Sequence, residues 1–347
     1  MKRIILSILL CLYFCVCSYA NVRVLSIGIS DYPETSGWNK LNAHNDVELM
    51  RSIFPNAVFL ENASATRAEI EKQITVLARH AAKGDTVIIH FSGHGQQIVT
   101  TNSKDEIDGV DEAIVPFDAA KRKTGLYHGQ NHLTDDAFGK AVDNIRKTIG
   151  PSGIVIAIID ACHSDSMDKD ADQSRYIYRG TNEIFGSESM SDTEISNLRE
   201  TYHNQEETSL AKSSDMSDVI YISACRSDQR NYEVIVNDKG YGSLTYYFCE
   251  EYKDMGISDL SAFLSAIYSG MENNDTLNFH GQVPSIRNTI GWEAPAKVDI
   301  IVDNPFRVGS KGPGDGAGQS NQTVFWIIIA AGFIIIFIAL WIMRKKK

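Results

Sequence analysis

The chain has 347 residues, 43% of them hydrophobic, with 44 acidic against 33 basic side chains; its length suits one or two domains. Six of the basic residues and none of the acidic ones lie in Lys2-Arg3 and in the closing Arg344-Lys345-Lys346-Lys347, leaving 27 basic against 44 acidic residues between them. So acidic a body repels nucleic acid, which excludes that class of partner, and favours cationic ones.

Residues 1–20 read as a secretory signal: Lys2-Arg3, then a mostly apolar run over 4–16, then Ser18-Tyr19-Ala20 ending in a small residue. Cys11, Cys15 and Cys17 lie inside it, so the exported chain keeps Cys162, Cys225 and Cys249. An odd count leaves at least one free thiol and excludes a disulfide-rich scaffold. From residue 22 to about 305, short apolar runs alternate with amphipathic stretches, as in α/β proteins. Strands are expected over 24–29, 57–60, 86–92, 154–160 and 219–223. Helices are expected over 45–54, 66–81 and 136–147. In the second of these Ile70, Ile74, Leu77 and Ala81 recur at helical spacing, and Thr66 with Glu69 forms a capping box. The apolar run Ile154-Val155-Ile156-Ala157-Ile158-Ile159 fits a sheet buried on both faces, mostly parallel and flanked by helices. Residues 166–217 are polar and charged and read as a long insertion or flexible loop. Residues 306–323 read as a tether. Residues 324–343 hold no charge and are long enough to cross a hydrocarbon core of about 30 Å. Trp326 and Trp341 near their ends and the basic tail at 344–347 place the C-terminus in the cytoplasm and the body outside it, periplasmic or extracellular.

Two of the expected strands end in reactive groups. One runs into Ser92-Gly93-His94-Gly95, the other into Asp160-Ala161-Cys162-His163-Ser164. Ligands of parallel α/β sheets bind beyond the carboxyl ends of the strands. If these strands are neighbours, His94 and Cys162 meet there, and an imidazole beside a thiol makes a nucleophile. Gly93, or main-chain N–H groups near it, can stabilise an oxyanion. Taken singly, a strand-end cysteine is commonly a small buried hydrophobe and a histidine a satisfied core or surface residue. The joint placement points to catalysis.

These two motifs resemble the histidine and cysteine motifs of metacaspases and their bacterial relatives in the caspase-like clan of cysteine peptidases. The resemblance extends to Asp111-Glu112-Ala113-Ile114-Val115-Pro116-Phe117-Asp118, Thr134-Asp135-Asp136 and Ile222-Ser223-Ala224-Cys225, and spans about residues 23–284. It implies a caspase-like three-layer α/β sandwich, with a large catalytic subdomain (21–165), a processing linker (166–217) and a small subdomain (218–305). The chain departs from the family pattern at Asp165, where glycine usually follows Cys-His-Ser. Asp46, Ser92 and Asp160 resemble the family's primary-pocket residues. Two carboxylates there would favour Arg or Lys before the cut bond of a protein or peptide substrate; Asp46 also reads simply as a helix N-terminal acid. Asp111, Asp135, Asp136 and Asp168 resemble calcium ligands of the family, and several carboxylates suit a hard cation. Asp135-Asp136 alone also reads as the acidic first turn of a helix. Tyr241 to Thr245 and Gln282-Val283-Pro284 resemble small-subdomain segments, for which packing is an adequate role. Two other readings stay open: a catalytically silent, membrane-tethered binding module, and a legumain-like peptidase, whose relatives lack the Asp-Glu-Ala-Ile-Val-Pro stretch.

Overall fold

A computed structural model describes residues 20–99, 109–162, 177–203, 210, 213–226, 229–273 and 282–295. The chain divides into two compact units, Met1–Ala296 and Lys297–Lys347, and every described residue belongs to the first. The expected signal up to residue 19, the tether and the apolar span lie outside the described residues. Among the described residues no helix is long and apolar enough to cross a membrane.

In chain order the elements are β1 (Val22–Gly28), α1 (Ala43–Ile53), β2 (Val58–Glu61), α2 (Arg67–His80), β3 (Thr86–Ser92), β4 (Gly95–Val99), β5 (Val110–Ile114) and β6 (Leu133–Thr134). There follow α3 (Asp135–Ile149), β7 (Ile154–Asp160), α4 (Asp192–His203), β8 (Asp218–Ser223), β9 (Glu233–Val236), β10 (Lys239–Gly242), α5 (Ser243–Met255), α6 (Leu260–Glu272) and β11 (Ser285–Asn288). Six strands form the central sheet in the order β11-β8-β7-β3-β1-β2. Its neighbours run parallel except for β11, which is antiparallel to β8.

Alternation along the strands explains the layers. Leu25, Ile27, Val87, Ile89, Val155 and Ala157 pack with Ile70, Ile74 and Leu77 of α2 and Phe138, Val142 and Ile145 of α3. On the opposite face Val24, Ile88, Ile156, Ile158 and Ile220 pack with Met50 of α1, Phe248 of α5 and Phe263 of α6. Residues two apart share a face, so each apolar strand supplies both cores. Each fully buried side chain of this kind contributes roughly 1.5–3 kcal/mol. Helix starts follow their caps. The Thr66 side chain accepts from Glu69 N–H and the Thr134 side chain from Ala137 N–H, each satisfying an orphan donor of the first turn.

The expected strands and helices are present within a residue or two. The expected loop at 166–217 is not uniform: residues 179–185 run beside β4, and α4 occupies Asp192–His203. Registers then position the site. Gly28 pairs with Ser92 and Ser92 with Asp160, so the ends of β1, β3 and β7 lie in one row.

Candidate active site

Beyond that row lies a buried cluster of charge. Asp46, in the first turn of α1, and Ser92 and Asp160, at the ends of β3 and β7, are all fully buried. Each carboxylate oxygen has donors. Ser92 Oγ donates to Asp46 Oδ2 (2.7 Å) and Gly242 N–H to Asp46 Oδ1 (2.9 Å). Asp160 Oδ2 accepts from Thr245 N–H and Oγ1 (both 2.7 Å), and its Oδ1 from Asn231 Nδ2 (2.8 Å). Gln282 Nε2 donates in turn to Asn231 Oδ1 (3.0 Å) and Ser243 Oγ (2.9 Å). The segments around Gly242 and Gln282 therefore help to hold these buried acids and do more than pack. Asp46 is at once a first-turn acid and a member of this buried cluster.

A third acid, which the sequence motifs did not single out, completes the cluster. Glu233 opens β9, is buried, and accepts from Asn42 N–H (2.8 Å). Among the three acids sits the guanidinium of Arg179, fully buried. It donates to Asp46 Oδ2 (2.8 Å), Glu233 Oε1 (3.0 Å) and Ser92 Oγ (2.6 Å), and lies 3.9 Å from Asp160 Oδ1. Burial disfavours the cation, yet Asp46, Asp160 and Glu233 together hold its pKa above the ordinary arginine value. Burial pushes the Asp46 carboxyl up to about 7, against the pull of Arg179, while Asp160 adds to the rise.

The backbone around Arg179 is extended across the strand ends. Tyr178 bridges Tyr232 in antiparallel fashion. Glu233 N–H donates to Ile177 O and Arg179 N–H to Asn231 O, both at 3.0 Å. The carbonyl oxygen of Arg179 accepts two main-chain donors, Cys162 N–H (3.0 Å) and Gly95 N–H (3.3 Å). Two amides converging on one carbonyl have the geometry of an oxyanion site. Of the main-chain donors expected at or near Gly93, Gly95 N–H reaches this carbonyl, while Gly93 N–H donates to Asp160 O at 3.3 Å. Gly93 is required instead by close approach, because a Cβ there would lie 2.8 Å from Tyr32 Oη and from the Phe91 ring.

His94 is held from three sides. Its ring stacks on Trp38 (centroids 4.7 Å apart, planes at 23°) and lies 5.2 Å from the Tyr32 ring. Nε2 is 2.9 Å from Asn39 O. A carbonyl oxygen only accepts, so Nε2 carries the proton and the neutral ring leaves Nδ1 as a lone-pair acceptor. Burial lowers the His94 pKa to about 3, which keeps it neutral. Nδ1 is buried and without a hydrogen-bond partner among the described residues. Cys162 is buried too, its thiol donating to Gln229 O at 3.2 Å with Tyr178 Oη 3.6 Å away. Cys225 Sγ is 3.6 Å from Cys162 Sγ; its thiol is held well above its usual pKa by the neighbouring Cys162 and by burial. Cys249 lies apart, against Met50 Sδ at 3.7 Å. The two strand-end motifs thus reach one site, with the imidazole and the thiol not hydrogen-bonded to each other.

Of the expected calcium ligands, Asp135 and Asp136 lie together and Asp111 lies apart from them. Asp111 pairs with Ile98 in the β4–β5 register. Asp135 and Asp136 open α3, where Asp135 Oδ1 accepts from Asp136 N–H (2.9 Å) and Asp136 meets Lys140 at 3.4 Å. Asp135 and Asp136 line a cavity together with Glu112, Asp143, Lys140 and Arg146, which Asp111 does not line. Asp168 lies outside the described residues. Among the described residues no group of three or more His, Cys, Asp or Glu gathers as metal ligands do. Among the described residues the carboxylates do not gather as a calcium cage, and no step below passes through the ion.

A model of the caspase domain matches residues 22–291. The chain belongs to the caspase-domain family of cysteine peptidases. Metacaspase-4 of Arabidopsis thaliana is 33% identical over 103 residues, which are 29% of this chain and 21% of that protein. Metacaspase-2 of the same plant is 31% identical over 163 residues, 43% of this chain and 36% of that protein. Metacaspase-1A of Neurospora crassa is 33% identical over 102 residues, 29% of this chain and 20% of that protein. The chain thus spans between a fifth and about a third of these metacaspases. In fold it is similar to a crystal structure of a Geobacter sulfurreducens protein, with a TM-score of 0.52 at 24% identity over 80% of this chain and 95% of the other. The caspase-like architecture, a mostly parallel sheet between helical layers, is therefore a family property.

Proposed function

We propose that the protein is an endopeptidase that cuts after arginine or lysine, with Cys162 as nucleophile and His94 as base, and that the Arg179–Gly180 bond of its own chain is a substrate. One observation carries the reading: Arg179 has its guanidinium among three buried acids while its carbonyl oxygen accepts Cys162 N–H and Gly95 N–H. A side chain held for charge and a carbonyl held for attack on the same residue are what a peptidase needs of the residue before the cut. Aspartate would meet only like charge in this pocket. Lysine would satisfy one or two of the acids with a single ammonium, where the arginine fork reaches Asp46, Glu233 and Ser92 together.

The chemistry follows from the atoms. His94 Nδ1, kept as an acceptor by the bond from Nε2 to Asn39, takes the thiol proton of Cys162. Sγ adds to the Arg179 carbonyl carbon, and the charge formed on oxygen meets the Gly95 and Cys162 amides. The C–N bond breaks as His94 returns the proton to the Gly180 nitrogen, leaving a thioester on Cys162. Water, deprotonated by the same imidazole, hydrolyses that thioester and frees the arginine carboxylate. For this to happen the Cys162 thiol leaves Gln229 O and turns toward His94.

Purified full chain incubated and analysed by intact mass is the test. Wild type is expected to yield a fragment ending at Arg179 and one beginning at Gly180, and Cys162→Ala to stay whole. A Cys162→Ala chain that still cuts at Arg179, or a wild-type chain cut after Asp or Asn, sinks the reading.

A further inference from the structure

Beyond Gly180 the chain does not leave the surface. Thr181 is buried, and Gln96, itself fully buried, donates from Nε2 to Glu183 O (2.9 Å) while its Oε1 is 2.9 Å from His132 Nε2. The Glu183 carboxylate meets Lys121 Nζ (3.2 Å) and Arg122 Nε (2.5 Å). Phe185 is buried against His132 (4.8 Å between centroids) and edge-on to Tyr127 (5.6 Å). Gly129, at φ +95°, makes room for it: a Cβ there would lie 2.8 Å from the Phe185 ring. Phe185 N–H donates to Gln97 O and Val99 N–H to Phe185 O, both at 2.8 Å. The segment thereby adds a parallel partner to the edge of β4 that β5 leaves open. At Gly180 itself a Cβ would lie 2.4 Å from Cys162 O, so only glycine fits in this pose.

We propose that the β4 edge, Lys121 with Arg122, and the slot of Tyr127, Gly129 and His132 form a recognition site for the residues after the cut bond. It takes glycine first, an acid fourth and an aromatic sixth. The site deepens the proposed function and rests on it. It explains why Arg179 is the residue presented. Lys169, Arg175, Arg199 and Lys212 share the same polar stretch, but none is followed by this triplet of glycine, acid and aromatic at the same spacing. The recognition is mixed in kind. The β4 hydrogen bonds read any backbone, the slot supplies apolar anchorage, and the two cations set the sign of charge.

The test uses the full chain made by cell-free translation, with release of the Gly180 N-terminus followed in time by mass spectrometry. Glu183→Arg turns two attractions into repulsions at a partly exposed site and is expected to slow release about fivefold. Adding Arg122→Glu to that variant restores a pair of opposite sign and is expected to bring the rate back to within about twofold of wild type. Phe185→Ala is expected to slow release at least about tenfold, with cuts at other basic residues gaining share. A fluorogenic arginine amide, which has nothing after the cut bond, separates the two ideas. If wild type that has released its Gly180 N-terminus does not turn it over, the peptidase reading fails and this one with it. If it is turned over while Glu183→Arg and Phe185→Ala release Gly180 at the wild-type rate, the recognition site is overturned and the peptidase reading stands. The surface charge swap keeps the test valid even if Phe185→Ala folds poorly.

Discussion

The protein carries two groups of acids that look alike in sequence and differ completely in structure. Asp46, Asp160 and Glu233 come from three distant parts of the chain and are buried, their oxygens supplied with donors from Gly242, Thr245, Asn231 and Asn42. Asp135 and Asp136 are neighbours at a helix start, and the Asp136 side chain is 46% exposed. The first group is held out of water at a cost that only a cation offsets, so it recognises charge. The second stays in water and supports the positive end of α3, a role worth no more than about 1 kcal/mol. A carboxylate acquires recognition chemistry from burial and from the donors that fix it, not from its position in a motif.

The sharpest way to break this contrast is to remove the cation. In the uncut Cys162→Ala chain, Arg179→Ala leaves Asp46 and Glu233 buried without their partner and is expected to lose about 3–5 kcal/mol in urea unfolding. Arg179→Lys is expected to keep part of that, and a loss below about 1 kcal/mol for the alanine variant would mean that the pocket acids are not a charged unit. Next comes the pocket itself. Asp46→Asn removes one buried partner of a charged substrate, so kcat/KM for an arginine amide is expected to fall about a hundredfold. Burial raises the Asp46 pKa to about 7 even with Arg179 beside it, and a pocket freed of Arg179 lacks that downward pull, so the carboxylate forms only as pH rises through neutrality or above. Wild-type kcat/KM should climb with pH across it, and the Asp46→Asn profile should lack that limb. An unchanged limb would assign it to another group. The smallest effect is expected from Asp135→Ala with Asp136→Ala: a stability change of no more than about 1 kcal/mol, since Thr134 still caps the helix, and a cutting rate within about twofold of wild type with or without calcium. Loss of a calcium response in that variant would show the two groups to be more alike than their geometry.

The sequence made some of this legible and hid the rest for identifiable reasons. β3 and β7 were plain because strands buried on both faces must be continuously apolar, and their ends placed His94, Asp160 and Cys162. Asp46 and Ser92 were reachable through the family resemblance. Glu233 was not, because its strand is only four residues long and belongs to a hairpin outside the main sheet. The two-residue turn of that hairpin, Asn237-Asp238 with both φ positive, is a readable hairpin signal and the one clue the sequence offered. The β4–β6 sheet was missed for a similar reason: Val110–Ile114 mixes two acids with apolar residues and has no strong period. Arg179 was one of five basic residues in a charged stretch whose composition reads as solvated. Its burial depends on acids 133, 19 and 54 positions away, which no local pattern contains.

The guanidinium of Arg179 also joins parts of the chain that are far apart in sequence, bonding Asp46 and Ser92 on one side and Glu233 on the other. While the chain is whole this ligand is tethered, so its effective concentration is fixed by the length of the strap and cannot be diluted away. On the proposed function, a rival arginine peptide would compete against that local concentration, and an intact molecule would be correspondingly deaf to its surroundings. Breaking one covalent bond turns the tethered ligand into an end that can dissociate and diffuse. On the proposed function, occupancy of the pocket would then follow the bulk concentration of basic peptides, and the molecule would begin to report on its environment.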